Sequence, residues 1–465
     1  PMKNTPAMAD YELRHIEALR KNLAGCTVLL KKDGSFPLEK PCTLAAYGSG
    51  VRRTIRGGTG SGEVNSRYSV TIEEGLQQAG FTLTGMEWHT GYEQARKKAH
   101  KAFLKQLKKD AKAVKQNFIL YGMGKAMPEP EYNLPLNAEG DAAIYVVSRI
   151  SGEGNDRTPL KGDIRLTDSE VRDILALDKK FTRFMLVLNV GGVVDLSPVM
   201  DVRNILLLSQ LGVETGGALA DILLGKANPS GKLTTTWAAF EEYPEMPDFE
   251  DMNETRYREG IYVGYRYFDT FRKPALFPFG HGLSYTEFRL GAVAVEANGA
   301  QITVRTFVEN IGALAGRQVV QVYLSKPSGK FDAPWQELCA FAKTHELAPG
   351  ETESVTCSFT LPEMAAYDTE TASYILEAGD YLVRVGVSSV ETAPAAVLHL
   401  DKTVTTLQAN NVLGSTDFTD LTAPASTMER PAGVPVIEID PVAIACETVA
   451  YDRTEEVLPE VDALT

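Results

Sequence analysis

The stretch AAIYVVSRI, residues 142–150, decides the fold. It shows no in-out alternation of polar and apolar residues, and a β-prone run of this kind reads as a strand covered on both faces. Directly after it comes SGEGNDR (151–157), where glycines flank Glu153. Glycine removes side-chain bulk, so the loop can reach outward and aim one carboxylate at a partner surface. Asp156 and Arg157 are expected to pair locally and hold the base of the loop. For a lone glutamate in such a loop, a solvated surface residue is the commoner explanation.

Working outward, CTVLL (26–30), CTLAAYG (42–48), NFILYG (117–122), RFMLVLNVG (183–191) and NILLLSQ (204–210) share this character and read as further strands. Helical patterns lie between them: TIEEGLQQAG (71–80), TDSEVRDILALDKKF (167–181) and ETGGALADILLG (214–225). Thr167 is an N-cap, and Glu170 completes a capping box. Strands alternating with helices predict a layered α/β sandwich domain over residues 1–286 with a mostly parallel sheet. From residue 287 the helical patterns stop. QITVRTFVEN (301–310), RQVVQVYLSK (317–326), ETESVTCSFTL (351–361) and GDYLVRVGVS (379–388) alternate polar and apolar residues between turns. They predict an all-β, immunoglobulin-like sandwich over residues 287–405. The stretch 406–465 reads as an acidic, Pro-punctuated linker or docking tail; from Thr416 onward it holds eleven acids against two bases.

A chain of 465 residues with 44% apolar and 23% charged residues is globular and holds more than one domain. Its net charge of −14 argues against nucleic acid as the main partner, since phosphate binding needs a positive field. No segment reaches the run of about 18 apolar residues that a membrane helix requires, so no membrane partner is expected. Cys26, Cys42, Cys339, Cys357 and Cys446 are widely spaced and form no C-x-x-C pair, which suits reduced core residues of a cytoplasmic protein. The six histidines lie too far apart for a metal motif, and no metal or cofactor is expected.

Three further segments carry chemistry-bearing residues. RGGTGSGEVNSRYSV (56–70) packs four glycines into positions 57–62, with Thr59 and Ser61 as hydroxyl donors. It reads as a tight surface loop, a polyol-binding loop or, with no G-K-[ST] following, a weak phosphate cradle. GIYVGYRYFDTFRKPALFPFGHGLSYTEF (260–288) is dense in aromatics, which suits packing at a domain junction better than sugar stacking; His281 within it reads as structural. QARKKAHKAFLKQLKKDAKAVKQ (94–116) is an amphipathic helix with a basic face.

Together these motifs resemble the C-terminal half of family 3 glycoside hydrolases of the bacterial β-glucosidase type. The matching pieces occur in order: VLLKKDGSFPL (28–38), GGTGSGEVN (57–65), RISGEGNDR (149–157), GGALADILLGKANPSGKL (216–233), EGIYVGYRYFDT (259–270) and FPFGHGLSYTEF (277–288). The resemblance continues through a fibronectin type III-like sandwich. It implies a retaining β-glucosidase acting on terminal β-D-glycosyl residues of a β-glucoside or oligosaccharide, with Glu153 as the general acid/base and Ser61 and Thr59 as substrate contacts. The nucleophilic aspartate of such enzymes sits on a TIM barrel. The chain is therefore expected to be the first half of a domain-permuted enzyme, inactive alone, with the barrel as partner and homo-oligomer formation left open. The competing expectations are a non-catalytic carbohydrate-binding or scaffold module and a nucleotide-binding α/β protein.

Overall fold

The computed structural model describes residues 8–123, 125–153, 157–245, 253–411, 414, 416–424 and 430–448. Its first sheet holds β1 (Val28–Lys31), β2 (Thr43–Tyr47), β3 (Thr82–Thr84), β4 (Ala142–Arg149), β5 (Phe184–Val190) and β6 (Ile205–Leu207). Their spatial order is β1-β6-β5-β4-β2-β3, parallel throughout except for β1 against β6. Every residue of β4 and β5 is buried. The two-residue period of a strand sends Ala143, Tyr145 and Val147 to one apolar core and Ala142, Ile144 and Val146 to the other. The run looks unpatterned because both faces are dry.

Helices supply the covering layers: α1 (Asp10–Leu23), α2 (Ile72–Gln78), α3 (Met86–Ala113), α4 (Phe118–Gly122), α5 (Asp168–Lys180), α6 (Thr215–Leu223) and α7 (Tyr265–Thr270). Trp88 and Tyr92 of α3 and Ile174 and Leu177 of α5 fill the first core, while α1, α2 and α6 bring Leu23, Ile72, Leu76, Leu219 and Ile222 to the second. Capping boxes start α2 and α5; in the second, the Glu170 amide donates to Thr167 Oγ1 at 3.0 Å and the Thr167 amide donates to Glu170 at 2.8 Å. α2 and α6 cross with their backbones touching. A Cβ on Gly216 would stand 1.9 Å from the Thr71 carbonyl oxygen.

The run NFILYG, expected as a strand, is instead the helical turn α4. Asn117 caps it by accepting from the Ile119 amide at 2.8 Å, and Ile119 and Leu120 are 71% and 68% exposed. An apolar run with nothing covering it gains nothing from a strand position, and the sheet edge is taken by the short β3.

The second half is all-β, with β7 (Phe288–Leu290), β8 (Ala294–Asn298), β9 (Gln301–Asn310), β10 (Val319–Ser325), β11 (Glu337–Lys343), β12 (Thr352–Thr360), β13 (Ala366–Asp368), β14 (Ser373–Leu376), β15 (Gly379–Gly386), β16 (Thr392–Leu400), β17 (Val404–Gln408), β18 (Val436–Ile439) and β19 (Glu447–Thr448). One sheet runs β11-β10-β15-β16-β18 and faces another built on β12-β9-β7, with Val304, Val308 and Phe359 meeting Val322, Leu324 and Val383 between them. A third sheet, β13-β14-β17-β19, closes the end. β9 shows the expected alternation, but all of β10 is buried. Its outward residues Gln321 and Tyr323 press against the α/β layers, where Gln321 donates to the Gly280 carbonyl at 3.1 Å and Tyr323 meets Tyr265 edge-on. The aromatic stretch 260–288 lies at this junction: Tyr265 stacks on Phe279, and half-buried His281 bonds the Leu30 carbonyl at 2.9 Å through Nε2.

In sequence the stretch 406–465 reads as a linker or a docking tail. Its described part is a strap. Leu421 and Ala423 pack on Tyr262, Tyr267 and Phe268 of the first half, Arg430 grips Asp380 through two bonds of 2.8 and 2.7 Å, and β18 extends the sandwich parallel to β16. Short apolar pairs between the prolines give it enough buried surface to dock. All five cysteines are free.

Because α2 and α6 meet through glycine, Gly216→Ala has no room to relax. It should cost about 1–3 kcal/mol, read as a lowered urea midpoint with an unchanged slope.

Candidate active site

Ligands of parallel α/β sheets gather beyond the carboxyl ends of the strands. β2 and β4 are neighbours, so the loops that leave them emerge side by side. These are the two glycine-rich segments. A Cβ on Gly152 would fall 2.0 Å from the Thr59 amide nitrogen, and one on Gly58 would fall 2.8 Å from the Ser151 carbonyl oxygen. The glycines thus serve close contact between two backbones rather than free reach.

Glu153, Ser61 and Thr59 come together there. Glu153 Oε2 accepts from the Ser61 amide at 2.9 Å and the Ser61 hydroxyl at 2.6 Å, while Thr59 Oγ1 donates to the Glu153 carbonyl at 3.1 Å. The hydroxyl first, then the amide, hold the exposed Glu153 carboxyl below the usual carboxylate range. As placed, it is an ionised acceptor at neutral pH.

Beneath the loop, the last residue of β4 points inward. Arg149 donates to Glu170 at 2.7 Å, with the two side chains only 5% and 2% exposed, and its Nε donates to the Asp163 carbonyl at 3.0 Å. That second bond ties the end of the loop back to its start. Asp156, the expected partner of Arg157, lies outside the described residues. Arg157 pairs with Asp163 and also donates to Ser151 Oγ at 3.1 Å.

A cleft of about 1100 Å³ opens beside the loop pair, between Thr59, Gly152 and Arg157 on one side and Phe103 and Met127 on the other. Glu129, on its floor, carried no motif signal. It is half-buried: Gly162 leaves its backbone room, where a Cβ would stand 2.3 Å from the Glu129 carbonyl oxygen, and Tyr92 donates to its carboxylate at 2.5 Å. Burial, then the charge of Glu170, pushes its pKa up to about 7.

A three-layer α/β domain that presents a hydrogen-bonded carboxylate at its strand ends is joined here to a β-sandwich. Residues 27–285 match the glycosyl hydrolase family 3 C-terminal domain and residues 318–389 the fibronectin type III-like domain, and the chain belongs to glycoside hydrolase family 3. It is 34% identical to β-glucosidase A of Butyrivibrio fibrisolvens across 87% of this chain and 53% of that protein. With thermostable β-glucosidase B of Acetivibrio thermocellus it shares 30% identity, across 87% and 51%. The chain thus spans about half the length of these relatives. Among solved structures, β-glucosidase 3B of Thermotoga neapolitana in complex with α-D-glucose superposes with a TM-score of 0.72 at 34% identity, across 86% of this chain and 55% of that one. A β-glucosidase of Paenibacillus barengoltzii gives a TM-score of 0.71 at 32% identity, across 84% and 44%.

Two titrations follow from this geometry. Ser61→Ala removes the main donor to Glu153, so the Glu153 carboxyl pKa should rise toward its ordinary value in a carbon-detected NMR titration. For Glu129, raised from 4.5 to about 7, the folded chain keeps a proton that the unfolded chain has released. Stability is therefore full below the unfolded value and falls as pH rises to about 7, by about 3 kcal/mol in all. Glu129→Gln should remove that loss, so its urea midpoint should pull ahead of wild type as pH crosses this window.

Proposed function

We propose that this chain supplies the acid/base half of a retaining β-glucosidase, with Glu153 as the general acid/base and Ser61 and Thr59 placing its loop beside the substrate. The observation that carries this reading is the Glu153 carboxylate held by Ser61 between two backbone-zipped glycine loops at the strand ends. The β-glucosidases to which the chain is similar support the substrate class, a terminal β-glucoside.

Retaining hydrolysis needs two carboxyl groups about 5–5.5 Å apart, one ionised as nucleophile and one protonated to release the leaving oxygen. In this reading the nucleophile belongs to a TIM-barrel domain outside these 465 residues. Glu153, ionised while Ser61 holds it, becomes an acid when the barrel face and substrate exclude water and bring a second negative charge near, since both effects raise a carboxyl pKa. The proton then passes to the leaving oxygen, and the carboxylate later takes one from the attacking water. The five free cysteines support a reducing, cytoplasmic setting.

In the enzyme assembled with its barrel, Glu153→Ala should lose turnover of glucosides with poor leaving groups by about 100-fold or more. Substrates with good leaving groups should suffer far less, and added azide should restore part of the lost rate as the β-glucosyl azide. The 465-residue chain alone should give no turnover. Unchanged activity in the variant, or β-glucoside hydrolysis by the isolated chain, would remove the assignment.

A further inference from the structure

The cleft beside the loop pair opposes the charge of the chain around it. In a protein of net charge −14, its walls carry Arg53, Arg56, Arg96 and Lys125. Among the described residues Arg56, Arg96 and Lys125 form no ion pair, and Arg53 meets Glu93 only at 3.8 Å. Lys125 Nζ sits 3.5 Å over the Tyr121 ring. These cations come from three segments: the loop after β2, helix α3 and the stretch after α4. Arg53 and Arg96 both lie within electrostatic reach of the Tyr92 hydroxyl, and Arg96 also of Glu129, so their fields converge there. Of the lining carboxylates, Asp163 is already held by Arg157 and Glu129 by Tyr92, and Glu63 is solvent-exposed.

Like charges gathered in a concave, partly dry site repel unless an anion joins them. Phe103 and Met127 add apolar wall, so the cleft suits a ring that carries the anion. We propose that the cleft binds the leaving-group side of the substrate and selects an aryl aglycone bearing a carboxylate or phosphate. The proposal rests on the reading of Glu153 as acid/base: the cleft starts at Gly152 and Thr59, and the group that an acid protonates departs on the acid's side.

The test is calorimetric titration of the 465-residue chain with phenyl phosphate, benzoate and phenol. At least one of the two anions should saturate a single site, phenol should not, and the stronger anion names the group preferred. Arg56→Gln combined with Arg96→Gln should weaken that binding about tenfold or more, whereas Lys101→Gln combined with Lys105→Gln on the exposed face of α3 should leave it unchanged. The two arginine variants are also measured singly, since they lie on different elements and each should lose part of the affinity. The proposal falls if no anion saturates, or if the lysine pair matters as much as the arginine pair. It also falls if the arginine pair leaves anion binding intact and weakens only association with the barrel, which would make the cleft a protein-docking face. Saturable, arginine-dependent binding without aryl glucoside cleavage by the assembled enzyme would instead remove the glycosidase reading and leave the anion site standing. Cleavage with no preference for anionic over neutral aryl glucosides would sink the proposal alone.

Discussion

The buried pair between Arg149 and Glu170 organises everything around the site. Taking two charges out of water is costly, and stranding either one costs about 3–5 kcal/mol, so such a pair fixes geometry more than it adds stability. Here each partner does double duty. Glu170 closes the capping box that starts α5, and Arg149 ends β4 while tying Asp163, at the far side of the site loop, to its root. One ion pair thus sets where the strand stops, where the covering helix begins, and how wide the loop between them can open.

That constraint changes what the glycines around Glu153 mean. A flexible loop would let the carboxylate wander, and the entropy of ordering it would fall on the catalytic step. Two backbones in contact, with Thr59 holding the Glu153 carbonyl and Ser61 its carboxylate, leave little to order. The same bonds make the group a base. An acid role therefore depends on an environment that outweighs Ser61, and burial against a second domain beside a second carboxylate is such an environment.

Much of this was legible in the residues. AAIYVVSRI revealed a strand buried on both faces because nothing in it tolerates water, and Thr167 with Glu170 marked the start of α5 because a capping box is local. The site triplet Glu153, Ser61 and Thr59 came from motif resemblance, and the structure brings the three within hydrogen-bond reach. What stayed hidden depends on contacts distant in sequence. NFILYG has strand chemistry, but no layer covers it. β10 alternates in sequence, yet Gln321 and Tyr323 are buried by the other half of the molecule. Glu129 carried no motif signal, and its half-buried place depends on Gly162 and Tyr92, both distant in sequence. For the acidic tail the residues left linker and docking tail both open, and the choice depends on where Leu421 and Ile439 pack.

The junction between the halves bears on how the site works. β10 is dry on both faces, the strap crosses from Tyr262 to β16, and the half-buried Lys232 donates to the Gly282 carbonyl at 2.6 Å, its pKa pulled down to about 8 by desolvation. These contacts tie the two halves together along β10 and the strap. Movement has to come from the loop itself, and because its backbone is zipped to the loop after β2, the freest part is the Glu153 side chain. The two bonds from Ser61 hold it in its parked, ionised state; releasing them returns its pKa only toward the ordinary carboxylate range, so a proton-donating state also needs burial or a second negative charge.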